Sequence, residues 1–419
     1  MLALFHPVLR FMRGWRYARV SLTQEHVTPA AKRPSALLLL RMLMPALMPM
    51  LMPMLMPMLM PMLMPMLMCL ALLPVARANP PAFAEVRPSI PRTFPRDFGS
   101  HPEFRTEWWY VTGWLNTPEN KPLGFQVTFF RSATDHDAGN PSRFAPRQLI
   151  VAHAALSDPD IGKLVHDQKI ARAGFGLAQA SEITTDVRLY QWMMQRQTDG
   201  RYVVKLPARS FTLSLTLTPT QPLMLQGEAG YSRKGAQASQ ASYYYSEPHL
   251  KVTGTVARNG ASMTVNGTAW LDHEWSTAVL DPRAVGWDWV GANLDDGSAL
   301  MAFRMRSVEG TALRQHAALR SRDGKVRQYR DADIRFTPLR RWRSPRTGAS
   351  YPVGMQIDTG DGKDKLQWTL HPLHDDQELD SRQSTGAVYW EGAVRVLRNG
   401  QPAGRGYFEM TGYLKALKL

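Results

Sequence analysis

The segment Gly267-Thr-Ala-Trp-Leu-Asp-His-Glu-Trp275 gathers three ionisable groups, Asp272, His273 and Glu274, between two indoles, Trp270 and Trp275. The flanking residues read as β-strand, where successive side chains point to opposite faces. His273 and Trp275 therefore share one face with Leu271, while Asp272 and Glu274 share the other with Trp270. One face offers an imidazole beside an aromatic wall, and the other offers paired carboxylates. Either can carry acid–base chemistry, and either can fix the polar end of an otherwise apolar ligand. Asp272, His273 and Glu274 are the candidate catalytic residues.

Two further acids stand among aromatics. Glu107 precedes Trp108, Trp109 and Tyr110. It reads either as a buried carboxylate with a raised pKa or as the ion-pair partner of Arg105 or another arginine. Asp288 lies between Trp287 and Trp289, on the face opposite both indoles, where a buried arginine partner is expected. His153, in Val-Ala-His-Ala-Ala, either lines a cavity with His273 or is a satisfied structural histidine. Trp108, Tyr110, His153, Trp270, Trp275, Trp287 and Trp289 are the candidate ligand-binding residues. In the run Tyr243–Tyr245, neighbours face opposite sides, so at least one packs in a core. His371-Pro-Leu-His374-Asp375-Asp376 has a metal-like composition, but its proline and polar setting read as a solvated loop. The chain carries no Walker loop, no Gly-x-Ser-x-Gly elbow and no His-Glu-x-x-His, so neither a cofactor nor a metal is expected.

The elements that must position these groups are strands. Alternating and β-branched runs recur from Trp108–Leu115 to Tyr407–Tyr413, separated by turn signals such as Asp199-Gly200, Asn259-Gly260 and Asn399-Gly400. The pattern is all-β, and 419 residues suffice for two sandwiches or barrels. A loose internal repeat supports two units. Trp108-Trp-Tyr110-Val-Thr-Gly-Trp-Leu115 matches Trp287-Asp-Trp289-Val-Gly-Ala-Asn-Leu294. Arg258-Asn-Gly260 with Gly267-Thr-Ala-Trp270-Leu-Asp272 matches Arg398-Asn-Gly400 with Gly404-Arg-Gly-Tyr407-Phe-Glu409.

Composition narrows the partners. The formal charge is +15, but eight of the 50 Lys/Arg and one of the 35 Asp/Glu fall in residues 1–78, leaving a net +8 for the rest. That charge is spread out rather than concentrated on one helix, which argues against nucleic-acid binding and is compatible with mild attraction to anionic membrane surfaces. The one cysteine, Cys69, lies in the leader, so the remainder has no disulfide and depends on core burial. Residues 1–78 read as a signal segment: an apolar stretch with a Leu-Met-Pro-Met repeat, ending in Ala76-Arg-Ala78. Cleavage near Ala78 and export to the periplasm or exterior are expected, with an N-terminal membrane anchor as the alternative. Residues 79–94 read as a proline-rich extended linker.

The stretches His101–Leu115, Trp270–Trp275 and Gly286–Trp289 resemble the AttH-like proteins, described as secreted hydrolases related to the carotenoid 1,2-hydratase (hydroxyneurosporene synthase) family. The resemblance runs from about Phe94 to the C-terminus. It implies two tandem lipocalin-like, calycin-type antiparallel barrels, here residues 95–277 and 278–419. It also implies shared use of Asp272, His273 and Trp275. The hydratases carry a Tyr-x-Asp pair on a following strand, whereas the corresponding strand here reads Leu300-Met-Ala-Phe-Arg304. Efficient carotenoid hydration is therefore not expected. Two readings follow: an exported module that binds an apolar lipid- or isoprenoid-like small molecule, or a hydro-lyase or hydrolase using acid catalysis at Asp272, His273 or Glu274.

Overall fold

A computed structural model describes residues 83–135 and 141–417. The expected leader, 1–78, lies outside the described residues. Two antiparallel sheets account for nearly all regular structure. The first comprises β1 (Thr106–Asn116), β2 (Pro122–Ala133), β3 (Gln148–Asp158), β4 (Lys163–Arg172), β5 (Ala178–Ala180), β6 (Asp186–Leu189), β7 (Trp192–Arg196), β8 (Tyr202–Pro207), β9 (Phe211–Thr218), β10 (Met224–Leu225), β11 (Tyr231–Arg233), β12 (Ala241–Arg258) and β13 (Ala261–Ala278). The second comprises β14 (Gly286–Leu294), β15 (Ala299–Arg306), β16 (Ala312–Arg320), β17 (Val326–Tyr329), β18 (Ile334–Arg343), β19 (Ser350–Thr359), β20 (Leu366–Pro372), β21 (Glu378–Ser381), β22 (Ala387–Arg398) and β23 (Gln401–Met410).

In the first sheet the main order is β4-β3-β2-β1-β13-β12-β9-β8-β7-β6-β5. The sheet curls until β3 and β4 return beside β5 and β6, a nearly closed barrel. The second runs β17-β16-β15-β14-β23-β22-β20-β19-β18 and brings β16 back to β18. Each barrel encloses its own apolar core, one built around Val111, Phe125, Trp192 and Leu271, the other around Val290, Met355, Trp368 and Phe408. Burial of such side chains stabilises by ~1.5–3 kcal/mol each.

The repeat in the sequence is a repeat in space. In barrel 1, β1 pairs with both β2 and the closing strand β13; in barrel 2, β14 pairs with both β15 and β23. Both closing hairpins turn through Asn-Gly pairs with positive φ, 52° and 78° at Asn259-Gly260 and 51° and 81° at Asn399-Gly400. Such φ values belong to type I′ turns, which match the strand twist.

A third cluster, including Tyr110, Trp114, Trp270, Trp289, Met301, Phe303 and Tyr407, fills the space between the barrels. Close approach there needs glycine. A Cβ on Gly124 would lie 2.6 Å from the Ala393 side chain, and the Trp114 indole N–H donates to the Gly406 carbonyl at 2.8 Å.

The proline-rich segment departs from the linker expectation. From residue 83 it is extended but packed against barrel 1. Val86 is buried, the Arg87 N–H donates to the Tyr243 hydroxyl at 2.9 Å, and the Arg92 guanidinium lies 3.5 Å over the Tyr243 ring. The buried Tyr243 and Trp275 rings give it an aromatic surface to cover.

Candidate functional site

Strand alternation along β13 holds, and it separates the three candidate catalytic residues. Leu271, His273 and Trp275 point into barrel 1; Trp270, Asp272 and Glu274 point toward barrel 2.

Inside barrel 1, His273 is fully buried. Its Nε2 lies 2.8 Å from Glu107 Oε1, and its Nδ1 lies 3.1 Å from the Tyr245 hydroxyl. The Glu107 carboxylate only accepts, so His273 donates through Nε2 and takes the tyrosine proton at Nδ1. Glu107 also receives the His101 ring at 2.8 Å, the His101 N–H at 2.9 Å and Arg131 Nε at 2.7 Å. Burial pushes the Glu107 carboxyl up, but hydrogen bonds from His101 and His273 and the charge of Arg131 hold it well below the usual carboxylate range. The His101 imidazole is pushed down by burial and raised more by bonds to Asp97 and Glu107. It stacks on Trp275 with centroids 3.7 Å apart.

Ligand atoms of His101, Glu107 and His273 lie within 4.8 Å of one another, a grouping that invites a metal. The 2.8 Å nitrogen–oxygen separations are hydrogen-bond lengths, and Arg131 already supplies the positive charge that a cation would bring. The trio is a closed structural network. His273, Trp275 and Glu107 are therefore barrel-interior residues, each engaged with buried neighbours. Asp288 is their counterpart in barrel 2, with Arg304 Nε at 2.6 Å, Arg306 Nε at 3.1 Å and the Tyr413 hydroxyl at 3.0 Å. Deeper in barrel 1, Glu247 accepts from the Tyr202 hydroxyl at 2.5 Å and is raised by burial.

Between the barrels the acids meet a different environment. Asp272 is 3% exposed and pairs with no arginine among the described residues. It accepts from the Tyr244 hydroxyl at 2.6 Å, the Ser246 hydroxyl at 2.5 Å and the Trp270 indole N–H at 2.7 Å. Burial pushes its carboxyl up to about 7 despite these three neutral donors. Glu274 accepts from Ser242 and pairs with Lys234 Nζ at 2.8 Å, and that ammonium lies 4.2 Å over the Phe303 ring.

Barrel 2 adds two acids that the sequence reading did not select. Glu391 on β22 lies directly opposite Glu409 on β23. The Tyr110 hydroxyl donates to Glu391 Oε2 at 3.0 Å, and the Trp287 indole donates to Glu409 Oε1 at 2.9 Å. Glu391 Oε1 is buried without a partner among the described residues. Burial and the neighbouring Glu409 push the Glu391 carboxyl well above the carboxylate range, and burial takes Glu409 up to about 7. Two adjacent carboxyls cannot both ionise cheaply, so the pair resists full ionisation near neutral pH. Glu409, Trp108 and Trp287 are only partly buried, which gives the cluster a solvent-facing side.

Tyr110 and Trp289 stand beside these acids. Tyr110 stands opposite Asp272 on β13, as Trp289 stands opposite Glu409 on β23. The Trp289 indole donates to the Tyr244 hydroxyl at 3.1 Å. His153 shares no cavity with His273. It bonds to the Tyr389 hydroxyl at 2.8 Å and Ser384 Oγ at 2.9 Å, and burial pushes it down to about 3, so it is a neutral anchor for Tyr389. The strand Leu300–Arg304 supplies Met301 and Phe303 to the cluster and no acid, as expected. Tyrosine and carboxyl stand two positions apart at Tyr389-x-Glu391 and Tyr407-x-Glu409. The repeat that aligns Glu409 with Asp272 was the available signal for them. At the far end of the cluster a crevice lined by Thr112, Trp114, Trp270, Asn293, Arg405 and Tyr407 has room for about one water molecule. In the His371–Asp376 segment, Asp375 pairs with Arg340 and Asp376 with Arg346.

Comparison with known proteins agrees with this architecture. An AttH-type protein from Nitrosomonas europaea, solved as a crystal structure, is 58% identical and superposes with a TM-score of 0.74, covering 79% of this chain and all of that one. Kievitone hydratase from Nectria haematococca shares 14% identity at a TM-score of 0.59, over 80% of this chain and 98% of its own. CghA in complex with Sch210972 shares 15% at 0.52, over 80% and 96%. The last two establish the fold alone. No curated protein matches the chain. The AttH-like family model matches residues 85–413, and the chain belongs to the AttH-like family.

Proposed function

We propose that the acid cluster between the barrels, with Glu409, Trp108 and Trp287 on its solvent-facing side, is an acid–base site that adds water to, or removes it from, an apolar or amphipathic isoprenoid- or lipid-like substrate. The observation that carries this reading is the contrast in compensation. Glu107 and Asp288 have arginines, whereas the buried Asp272 and Glu391 and the partly buried Glu409 sit among hydroxyls and indoles with pKa values pushed up by burial. A buried acid that titrates near neutrality suits general acid–base work.

In the hydration direction a protonated carboxyl of the Glu391–Glu409 pair gives its proton to one alkene carbon. The π-electrons form the new C–H bond and leave a cation on the other carbon. Trp108, Trp270, Trp287 and Trp289 offer faces to that cation, each worth ~0.5–2 kcal/mol. Water adds to the cation, and Asp272 takes the proton released. The net change is H and OH across the double bond. Dehydration is the reverse.

Export rests on the leader ending at Ala78 and is part of the same proposal: an enzyme meeting its substrate outside the cytoplasm. The simpler alternative is a carrier that binds such a molecule without changing it. Incubation with non-carotenoid acyclic terminal alkenes of isoprenoid or lipid type in H2(18)O separates the two. The expected result is a product heavier by one labelled water, formed ~10²–10⁴-fold more slowly by Glu391→Gln and Asp272→Asn. Stoichiometric retention of an unchanged ligand by wild type and both variants would establish the carrier instead.

A further inference from the structure

One end of barrel 1 displays aromatics that neither the core nor the cleft absorbs. Phe144 in the β2–β3 connection, Phe175 and Leu177 in the β4–β5 connection, and Tyr190 in the β6–β7 turn are 75%, 56%, 36% and 52% exposed. They form one surface. The Phe144 and Phe175 rings stack at 5.5 Å and 13°, and the Tyr190 N–H donates to the Leu177 carbonyl at 2.7 Å.

Two of these residues are held in a costly backbone conformation. Phe175 has φ 56° and Tyr190 has φ 54°, in the left-handed region that bulky residues rarely occupy. Phe175 sits between Gly174 and Gly176, at φ 95° and 71°, a turn that glycine would complete without strain. An aromatic there is unfavourable in its backbone and in its exposure to water. Strain maintained at an exposed apolar tip points to use of that tip.

The charge around the tip is positive. The Arg172 guanidinium lies 4.7 Å over the Phe175 ring and donates to the carbonyls of Phe144 at 2.6 Å and Arg143 at 2.8 Å, tying the two loops together. Neither Arg143 nor Arg172 enters an ion pair among the described residues. The tip lies at a defined end of the sheet. Thr106, Ser132, Leu149 and Arg172 stand side by side across β1, β2, β3 and β4, so the loops share the end of the barrel from which Trp108 borders the cleft.

We propose that this tip docks the protein on an anionic lipid bilayer, with Phe144, Phe175, Leu177 and Tyr190 entering the interface and Arg143 and Arg172 facing lipid phosphates. Aromatics that reach the acyl boundary, together with arginines at headgroup level, are the chemistry of interfacial anchoring. Projecting loop tips fit a deformable surface better than a rigid partner. The proposal is independent of any chemistry in the cleft.

The test is co-sedimentation of the full chain with vesicles of 70% phosphatidylcholine and 30% phosphatidylglycerol, against phosphatidylcholine alone. Phe175→Asn with Tyr190→Asn is the key variant, because asparagine tolerates positive φ and the fold is retained, as a melting curve checks. The expected result is preference for the anionic vesicles, weakened by salt and at least tenfold lower in the double variant, with Asp272→Asn binding like wild type. Equal binding by wild type and the double variant would overturn the proposal by assigning attachment to another segment. Concentration-dependent dimerisation lost in the double variant, without vesicle binding, would overturn it in favour of a second copy as occupant.

Discussion

Glu107 and Asp272 are buried acids on paired neighbouring strands of one sheet, and their surroundings treat them in opposite ways. Glu107 faces the barrel interior and receives a guanidinium, two imidazoles and a backbone N–H. Asp272 faces the other barrel and receives only a phenol, a serine hydroxyl and an indole. The first is held ionised, and the second is poised between its two forms. Burial alone therefore does not decide whether a carboxyl keeps its charge; the kind of compensation does. The two halves of the repeat sharpen the point. Ser246 lies opposite Asp272, and Glu391 lies opposite Glu409 at the equivalent place. One half gives its carboxyl a hydroxyl donor, and the other gives it a second acid.

The largest effect expected from this contrast is on stability. Glu107→Ala leaves Arg131 buried without its counter-charge, which typically costs ~3–5 kcal/mol. Denaturant unfolding should show that loss, with catalysis per folded molecule unchanged. A cost under about 1 kcal/mol would break the distinction between interior and cleft acids.

Asp272→Asn should act with the opposite sign. The Asp272 pKa rises from 3.8 to about 7 on folding, so its contribution is full below pH 3.8 and is lost as pH rises through about 7. At pH 8 the variant, which need not bury that charge, should be more stable by up to ~4 kcal/mol, at ~1.4 kcal/mol per pKa unit. The gap should close toward pH 4. Glu107 runs the other way, since its lowered pKa stabilises above 4.5 and that contribution fades as pH falls through the folded value. In melting curves from pH 4 to 9 the advantage of Asp272→Asn should therefore grow as pH rises, while the deficit of Glu107→Ala stays nearly constant, since the folded Glu107 carboxyl lies well below 4.5.

A smaller effect separates the tryptophans. Trp275→Ala removes a fully buried ring stacked on His101 and should cost ~3 kcal/mol or more, leaving ligand affinity per folded molecule unchanged. Trp287→Ala, at the partly exposed side of the cleft, should cost about 1–2 kcal/mol yet lower ligand affinity, because its indole holds Glu409. Equal melting temperatures for the two variants would remove the assignment of Trp275 to the core.

Local rules carried much of this protein. Period-two alternation separated His273 from Asp272 before any fold was known, and the Asn-Gly turns and the Trp108 and Trp287 repeat announced two β units. The same repeat aligned Glu409 with Asp272, so half of the cleft was written in the chain. Alternation, however, says only that two faces differ. It does not say which becomes a barrel interior and which meets a second barrel. That depends on contacts between residues far apart in sequence: Arg131 beside Glu107, Tyr110 against Glu391, Tyr389 on His153. The proline-rich segment, read as a linker from composition, became a strap because Tyr243 and Trp275 offered a surface it could bury. The sequence by itself determined the strands, their repetition and the chemical types on each face. Only the tertiary structure decided which acids keep their charge, because a carboxyl's proton affinity is set by its dielectric surroundings and its neighbours, and both are assembled by folding.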